Sequence, residues 1–213
     1  ENTGMCFKVK KVLFSDKSQF QHVCIVETEA VGKTLLNDGM FMLSERDEFV
    51  YHEMIAHVPI FAHPSPKKVL IIGGGDGGTA REVLRHKEIE ECVLVEIDKM
   101  VVDACIEHIP SVSSSFSNSK LKLHIEDGTK FVRETNEKFD IVLIDSTDPV
   151  GPAQPHFWEE FYKNVQHCLN PGGIVVSQSE SPFYNKDVQF SLFKILNSVF
   201  SKAYMYTFHN LTY

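Results

Sequence analysis

The chain has 213 residues, 43% of them hydrophobic and 23% charged, with a net charge of -8, which fits one sizeable core plus a small appendage. A negative field disfavours nucleic acid and anionic membrane as partners and favours a cationic small molecule, although acidity alone is common among cytosolic proteins. No run of eighteen apolar residues is present, so no membrane-spanning helix is expected, and Glu1-Asn2-Thr3-Gly4 does not open a signal peptide.

The first 43 residues read as strands. Cys6–Phe14 alternates, with Phe7, Val9 and Val12 or Leu13 on candidate inner faces. His22–Glu27 and Gly39–Leu43 follow, separated by the turn residues Val31-Gly32-Lys33 and Asn37-Asp38-Gly39. A small antiparallel β unit over residues 1–44 is expected. Ser44-Glu45-Arg46-Asp47 then opens a helix, the serine capping it, with an apolar stripe of Phe49, Val50, Met54, Ile55 and Val58. Pro59 and His63-Pro64-Ser65-Pro66 end it.

From Lys67 the pattern alternates between strand and helix. Apolar runs at Val69–Ile72, Cys92–Val95, Leu121–Ile125, Ile141–Ile144 and Gly173–Val176 read as buried parallel strands. Helices are expected near 79–87, 99–108, 128–135, 157–168 and 186–200, and Ala203–Phe208 reads as a sixth strand. The expected fold is α/β: a Rossmann-like, doubly wound, mostly parallel sheet over residues 45–213 behind the N-terminal β unit. Cys6, Cys24, Cys92, Cys105 and Cys168 are scattered, odd in number and without a Cys-x-x-Cys pair, as expected of reduced thiols in a cytoplasmic protein.

Gly73-Gly74-Gly75-Asp76-Gly77-Gly78 sits directly between a strand and a helix. A glycine turn lets the backbone approach a ligand, and the helix start presents free N–H groups. Glu96, 20 residues after Asp76, ends the second strand where a carboxylate accepts from a ribose diol; Asp98 beside it reads as a helix cap. Asp127-Gly128 follows the third strand, where an acid meets an adenine amine or simply caps a helix. These acids fit an adenosine-containing ligand without separating NAD from S-adenosyl compounds.

The fourth strand ends in Asp145-Ser146-Thr147-Asp148-Pro149-Val150-Gly151-Pro152-Ala153. Two acids three apart on a stiff loop are costly unless a cation joins them, so the partner is a metal ion or an amine. The metal is the weaker option. No histidine lies near the pair, and His52 and His57, five apart, turn about 140° away from each other on a helix; magnesium would need only a carboxylate or two and water. Trp158 and Phe157 read as packing residues, and Asn170–Gly173 as a turn into the fifth strand.

Taken together, Tyr51-His52-Glu53, Gly73–Gly78, Glu96-Ile97-Asp98, Asp127-Gly128, Asp145–Ala153, Gln178 and Glu180 resemble the spermidine synthases, the polyamine aminopropyltransferases, over nearly the whole chain. The resemblance implies transfer of an aminopropyl group from decarboxylated S-adenosylmethionine, a co-substrate rather than a prosthetic group, to putrescine. Spermidine and methylthioadenosine are the implied products.

It implies that Asp145 is the proton acceptor, that Tyr51, Asp148 and Tyr213 hold the diamine, and that Asp76 meets the amine of the aminopropyl group. Glu96 would hold the ribose, Asp127 and Gly128 the adenine side, and Gln21 and His52 the nucleoside. Gly73 and Gly75 would form the turn under the donor, and Pro152 would lie in a gate loop near the adenine. It also implies a homodimer or homotetramer built through the N-terminal β region. The family continues past Tyr213 with a last strand, which is expected to be missing here. The alternative is an S-adenosylmethionine-dependent methyltransferase acting on a diamine; Asp76, which would repel a donor carboxylate, argues against it.

Overall fold

The computed structural model describes residues 6–146, 155–179 and 185–210. Four strands, β1 (Val9–Lys17), β2 (His22–Thr28), β3 (Gly32–Asn37) and β4 (Met40–Ser44), form an antiparallel meander in the order β1-β2-β3-β4. The sequence reading found three of them. The interior of β3 is short and lies between two sets of turn residues, so its alternation does not show. β1 departs from expectation in part: Val9 and Val12 are exposed, because register shifts at Val9/Lys11 and Val12/Phe14 break the period of two, while Leu13, the alternative to Val12, faces inward together with Phe14.

Helix α1 (Glu48–Ala62) follows. Ser44 does not cap it; its hydroxyl donates to Asp47 Oδ1 at 2.6 Å while the residue itself ends β4. Pro59 lies inside the helix rather than ending it, and the last turn closes at His63. The buried face is Tyr51, His52, Ile55, Ala56, Pro59 and Ile60, a strict i, i+4 stripe. Phe49 and Val58 of the expected stripe are exposed. With Glu48, which continues the stripe one turn earlier and is also buried, the face carries three polar side chains that a hydrophobicity count passes over.

The second sheet is parallel, in the order β7-β6-β5-β8-β9. Its strands are β5 (Lys68–Gly73), β6 (Glu91–Glu96), β7 (Leu121–Ile125), β8 (Phe139–Asp145) and β9 (Leu169–Ser177). Helices α2 (Gly78–Leu84), α3 (Lys99–His108), α4 (Gly128–Glu134), α5 (Pro155–His167) and α6 (Lys186–Val199) connect and cover them. Alternate residues of the central strands bury opposite faces. Val69, Ile71, Leu94, Ile141 and Leu143 pack on α1 and α2 through Ala56, Ile60, Ala80 and Val83. Leu70, Ile72, Val93, Val95, Val142 and Ile144 pack on Phe131, Phe161, Tyr162 and Val165 of α4 and α5. Burial on both faces explains the unbroken apolar runs. A third cluster ties the meander to α3 through Val23, Ile25, Leu35, Leu43, Ala104 and Cys105.

Asn170–Gly173 loops out of the ladder between the pairs Phe139–Leu169 and Ile141–Ile174. The expected sixth strand does not form. Ala203–Phe208 pairs with no strand among the described residues; the Tyr206 hydroxyl instead donates to the Met54 carbonyl on α1 at 3.0 Å, and the Phe208 ring lies 6.3 Å from that of Tyr51. A strand exists only through a neighbour's backbone, and this segment crosses toward α1 instead of joining the β9 edge. Among the described residues, no helix is long and apolar enough to cross a membrane.

Strand order reverses between β5 and β8, the switch point where open α/β sheets bind ligands. The two strands close tightly there. Gly73 pairs with Asp145, and the Gly74 N–H donates to the Asp145 carbonyl at 2.8 Å. Gly73 has φ +84°, and a Cβ on it would sit 2.2 Å from that carbonyl oxygen. Gly73→Ala is therefore expected to destabilise the fold by roughly 3 kcal/mol, lowering Tm by about 6–12 °C in a thermal melt.

Candidate active site

A cavity of about 410 Å³ opens over this switch point. The C-terminal ends of β5, β6 and β8, the glycine turn before α2 and the start of α4 form its floor. Tyr51 and His52 of α1 form one side, and Phe20, Gln21, Leu35, Phe41 and Met42 of the meander form another. The last group has no polar signature, so sequence reasoning found only Gln21 among them. Trp158, read from sequence as packing, does pack on Tyr162 with near-parallel rings, and it also lines the cavity.

The glycine turn and β8 bring two carboxylates to the floor. Asp145 Oδ1 accepts from the Tyr51 hydroxyl at 2.5 Å and Oδ2 from the Thr79 hydroxyl at 2.6 Å. Gln178 Oε1 stands 2.8 Å from the same tyrosine oxygen. Burial and the neighbouring Asp76 charge raise Asp145 above the ordinary carboxylate range, against the pull of His52 and the two hydroxyls. Asp76 Oδ1 accepts from the Gly78 N–H at 2.7 Å and faces His52 Nε2 at 3.3 Å. Burial would raise Asp76 too, but His52 and the backbone bond hold it below its usual value. Two acids over one cavity thus have opposite proton affinities. Thr79 is a site residue that sequence reasoning missed; a hydroxyl in the first turn after the glycine run was the available signal.

The nucleoside-side candidates gather at the adjoining strand ends. Glu96 accepts from the Gly75 N–H at 3.1 Å and the Asp98 N–H at 2.8 Å, and burial pushes it up to about 7 despite these bonds. A Cβ on Gly75 would meet the Glu96 carboxylate at 2.8 Å, so glycine permits that approach. Asp98 caps α3 through the Met100 N–H, as expected, and also accepts from Gln21 Nε2 at 3.0 Å, holding Gln21 at the cavity. Asp127 caps α4 through the Thr129 N–H at 2.8 Å; burial would raise it, but the bonds from Thr129 hold it low. Asp127 and Gly128 both line the cavity. The structure therefore brings Gln21, Tyr51, His52, Gly73, Gly75, Asp76, Glu96, Asp127, Gly128 and Asp145 around one space. Asp148, Pro152 and Tyr213, together with Thr147, Val150 and Glu180, lie outside the described residues.

Glu53, His57 and Glu82 approach one another within 4.8 Å between α1 and α2. Arg81 and Arg85 pair with Glu82 there at 2.9 and 2.7 Å, so the cluster already holds its cations. His52 and His57 face different partners, Asp76 and Glu82.

Residues 48–213 match the family model described as the spermine/spermidine synthase domain, and residues 1–45 the spermidine synthase tetramerisation domain. The chain is 47% identical over all its 213 residues to a polyamine aminopropyltransferase of Methanocaldococcus jannaschii, covering 73% of that protein. It is 44% identical over 200 residues, 94% of the chain, to one from Clostridium kluyveri, again covering 73% of it. A spermidine synthase solved in complex with the transition state analogue AdoDATO superposes with TM-score 0.90 at 40% identity over 94% of this chain and 69% of that one. The spermidine synthase of Thermotoga maritima gives 0.88 at 40% identity, over 94% and 68%.

Proposed function

We propose a reaction from one premise: the chain belongs to the spermine/spermidine synthase family and is a transferase of polyamine biosynthesis. The reaction is transfer of the aminopropyl group of decarboxylated S-adenosylmethionine to putrescine, yielding spermidine and methylthioadenosine. The observation that carries this reading is the pair of half-buried carboxylates on one cavity floor, Asp76 facing His52 and Asp145 bonded by the hydroxyls of Tyr51 and Thr79, which shifts Asp76 down and leaves Asp145 raised. Environments that push two like acids apart divide the work between them.

Putrescine at neutral pH is protonated and cannot attack. Asp145, with its raised affinity, takes a proton from one amine. The freed lone pair then forms a C–N bond at the aminopropyl carbon beside the sulfonium. The C–S bond breaks, its electron pair stays on sulfur, and neutral methylthioadenosine leaves. The leaving group is good without assistance, so the protein's contribution is alignment and charge placement. Asp76, kept ionised, binds the donor's ammonium and repels the carboxylate that ordinary S-adenosylmethionine carries. Glu96 takes the ribose diol, Asp127 and Gly128 the adenine side, with Gln21 and His52 beside the nucleoside and Gly73 and Gly75 beneath it. Tyr51, Asp148 and Tyr213 hold the diamine, and Pro152 belongs to the loop over the adenine. Residues 1–44 form a β unit and 45–213 the catalytic unit. The match to a tetramerisation domain supports an oligomer, which we assign to the meander, where Val9, Val12 and Met40 are exposed. The five cysteines are unpaired, in keeping with a cytoplasmic protein.

The test is product identification by mass after incubation with putrescine and either donor. Spermidine and methylthioadenosine from the decarboxylated donor alone are expected. A methylated diamine from ordinary S-adenosylmethionine would overturn the reading in favour of a methyltransferase.

A further inference from the structure

Behind the cavity, His52 is 1% exposed and sits between two carboxylates. Its Nε2 faces Asp76 Oδ1 at 3.3 Å, and its Nδ1 contacts Glu48 Oε2. A neutral imidazole protonates one nitrogen and turns a lone pair outward from the other. A carboxylate at each nitrogen therefore favours the doubly protonated ring, the form in which both acids face positive charge. Three acids act on this ring: Glu48 from α1, Asp76 from the glycine turn and Asp145 from the end of β8. Burial alone would lower His52, but these partners lift it to about 10.

Glu48 is itself held. It is 7% exposed, and Arg81 of α2 grips it with two nitrogens, at 2.9 and 2.8 Å. Arg81 also bonds Glu82 at 2.9 Å. Burial would raise Glu48, but His52 and Arg81 hold it below its usual value. The charges alternate from the cavity inward: Asp76, His52, Glu48, Arg81, Glu82.

We infer that Glu48, anchored by Arg81, is a positioning residue that fixes His52 as an imidazolium and so assigns the two floor carboxylates their separate roles. The contact is one-sided. His52 meets Asp76 directly, whereas Asp145 is bonded by the hydroxyls of Tyr51 and Thr79. Asp76 therefore stays an anion for a cationic donor, and Asp145 remains the one that accepts a proton. A fixed imidazolium also cannot serve as the base. The inference rests on the proposed reaction for its consequence, but the state of His52 can be measured without it.

The experiment is an NMR titration of the histidine ring nitrogens of the protein from pH 6 to 10, with His52→Gln assigning the signal. In the parent, His52 should stay doubly protonated to about pH 9. In Glu48→Gln its proton affinity should fall at least tenfold. Arg81 retains Glu82 and the Ser111 carbonyl in that variant, so the fold should survive; Glu48→Asp, which keeps the carboxylate but draws it back by one methylene, should give a smaller shift of the same sign.

Donor kcat/KM for Glu48→Gln should lie within about threefold of the parent at pH values where His52 is charged in both proteins. It should fall about tenfold at higher pH, where His52 is neutral in the variant alone and Asp76 has lost its cationic partner. A His52 already neutral in the parent at pH 8, or titrating alike in both proteins, would overturn the inference. So would an equal, pH-independent loss for donor and diamine, the mark of a merely structural residue. Should no spermidine form at all, the titration still decides the role of Glu48, and only the reaction assignment fails.

Discussion

Asp145→Asn is expected to lower kcat by about 10²–10⁴-fold while leaving donor affinity within about threefold of the parent. The expectation follows from what the two side chains share and what they do not. The amide would keep an oxygen to accept from Tyr51 or Thr79, which bond the two carboxylate oxygens at 2.5 and 2.6 Å. The backbone carbonyl that ties β8 to Gly74 is untouched, so the floor keeps its shape. What disappears is a group able to hold the proton that the diamine must lose. Single-turnover rates, with donor binding measured separately by calorimetry, check the split. An equal loss in donor affinity and turnover would mean that Asp145 shapes the donor site and would remove it as the base.

Asp76→Asn is expected to narrow the preference for decarboxylated over ordinary S-adenosylmethionine by about 10²-fold, from competition binding of the two donors. The amide can still accept from the Gly78 N–H, now at 2.7 Å, so the glycine turn should persist. The negative charge is lost, and with it both the attraction for the ammonium and the repulsion of the carboxylate. Two donors weakened in equal proportion would show that Asp76 holds the turn and does not read the donor.

The strands and the donor-side residues were legible for one reason: both are local in sequence. Val69–Ile72 and Ile141–Ile144 are apolar throughout because both faces of the sheet are covered, and Asp76, Glu96, Asp127 and Asp145 each lie at or just beyond a strand end. What escaped was non-local. Thr79, and the part played by Gln178, matter through bonds made to Asp145 and Tyr51 across 66 and 127 residues. Glu48 and Arg81, 33 apart, carry no local sign of their pairing, which forms only when α1 packs on α2 and buries Glu48. The face of α1 was misjudged because its buried stripe mixes Tyr51 and His52 with Ile55 and Ile60. The segment Ala203–Phe208 has the composition of a strand but pairs with none among the described residues; propensity supplies a candidate and hydrogen-bonding partners decide.

The closure of β5 on β8 also sets when the site can exist during synthesis. Residues 73 and 145, paired across the switch point, are 72 positions apart, whereas the meander joins neighbours as near as Thr28 and Gly32. Contacts near in sequence cost little chain entropy and form early; a parallel pairing across a long crossover forms late. An emerging chain can therefore complete its N-terminal sheet on the ribosome while the two acids of the active site are still unassembled, so a ligand in that cavity can steady only a chain that has been made at least as far as β8.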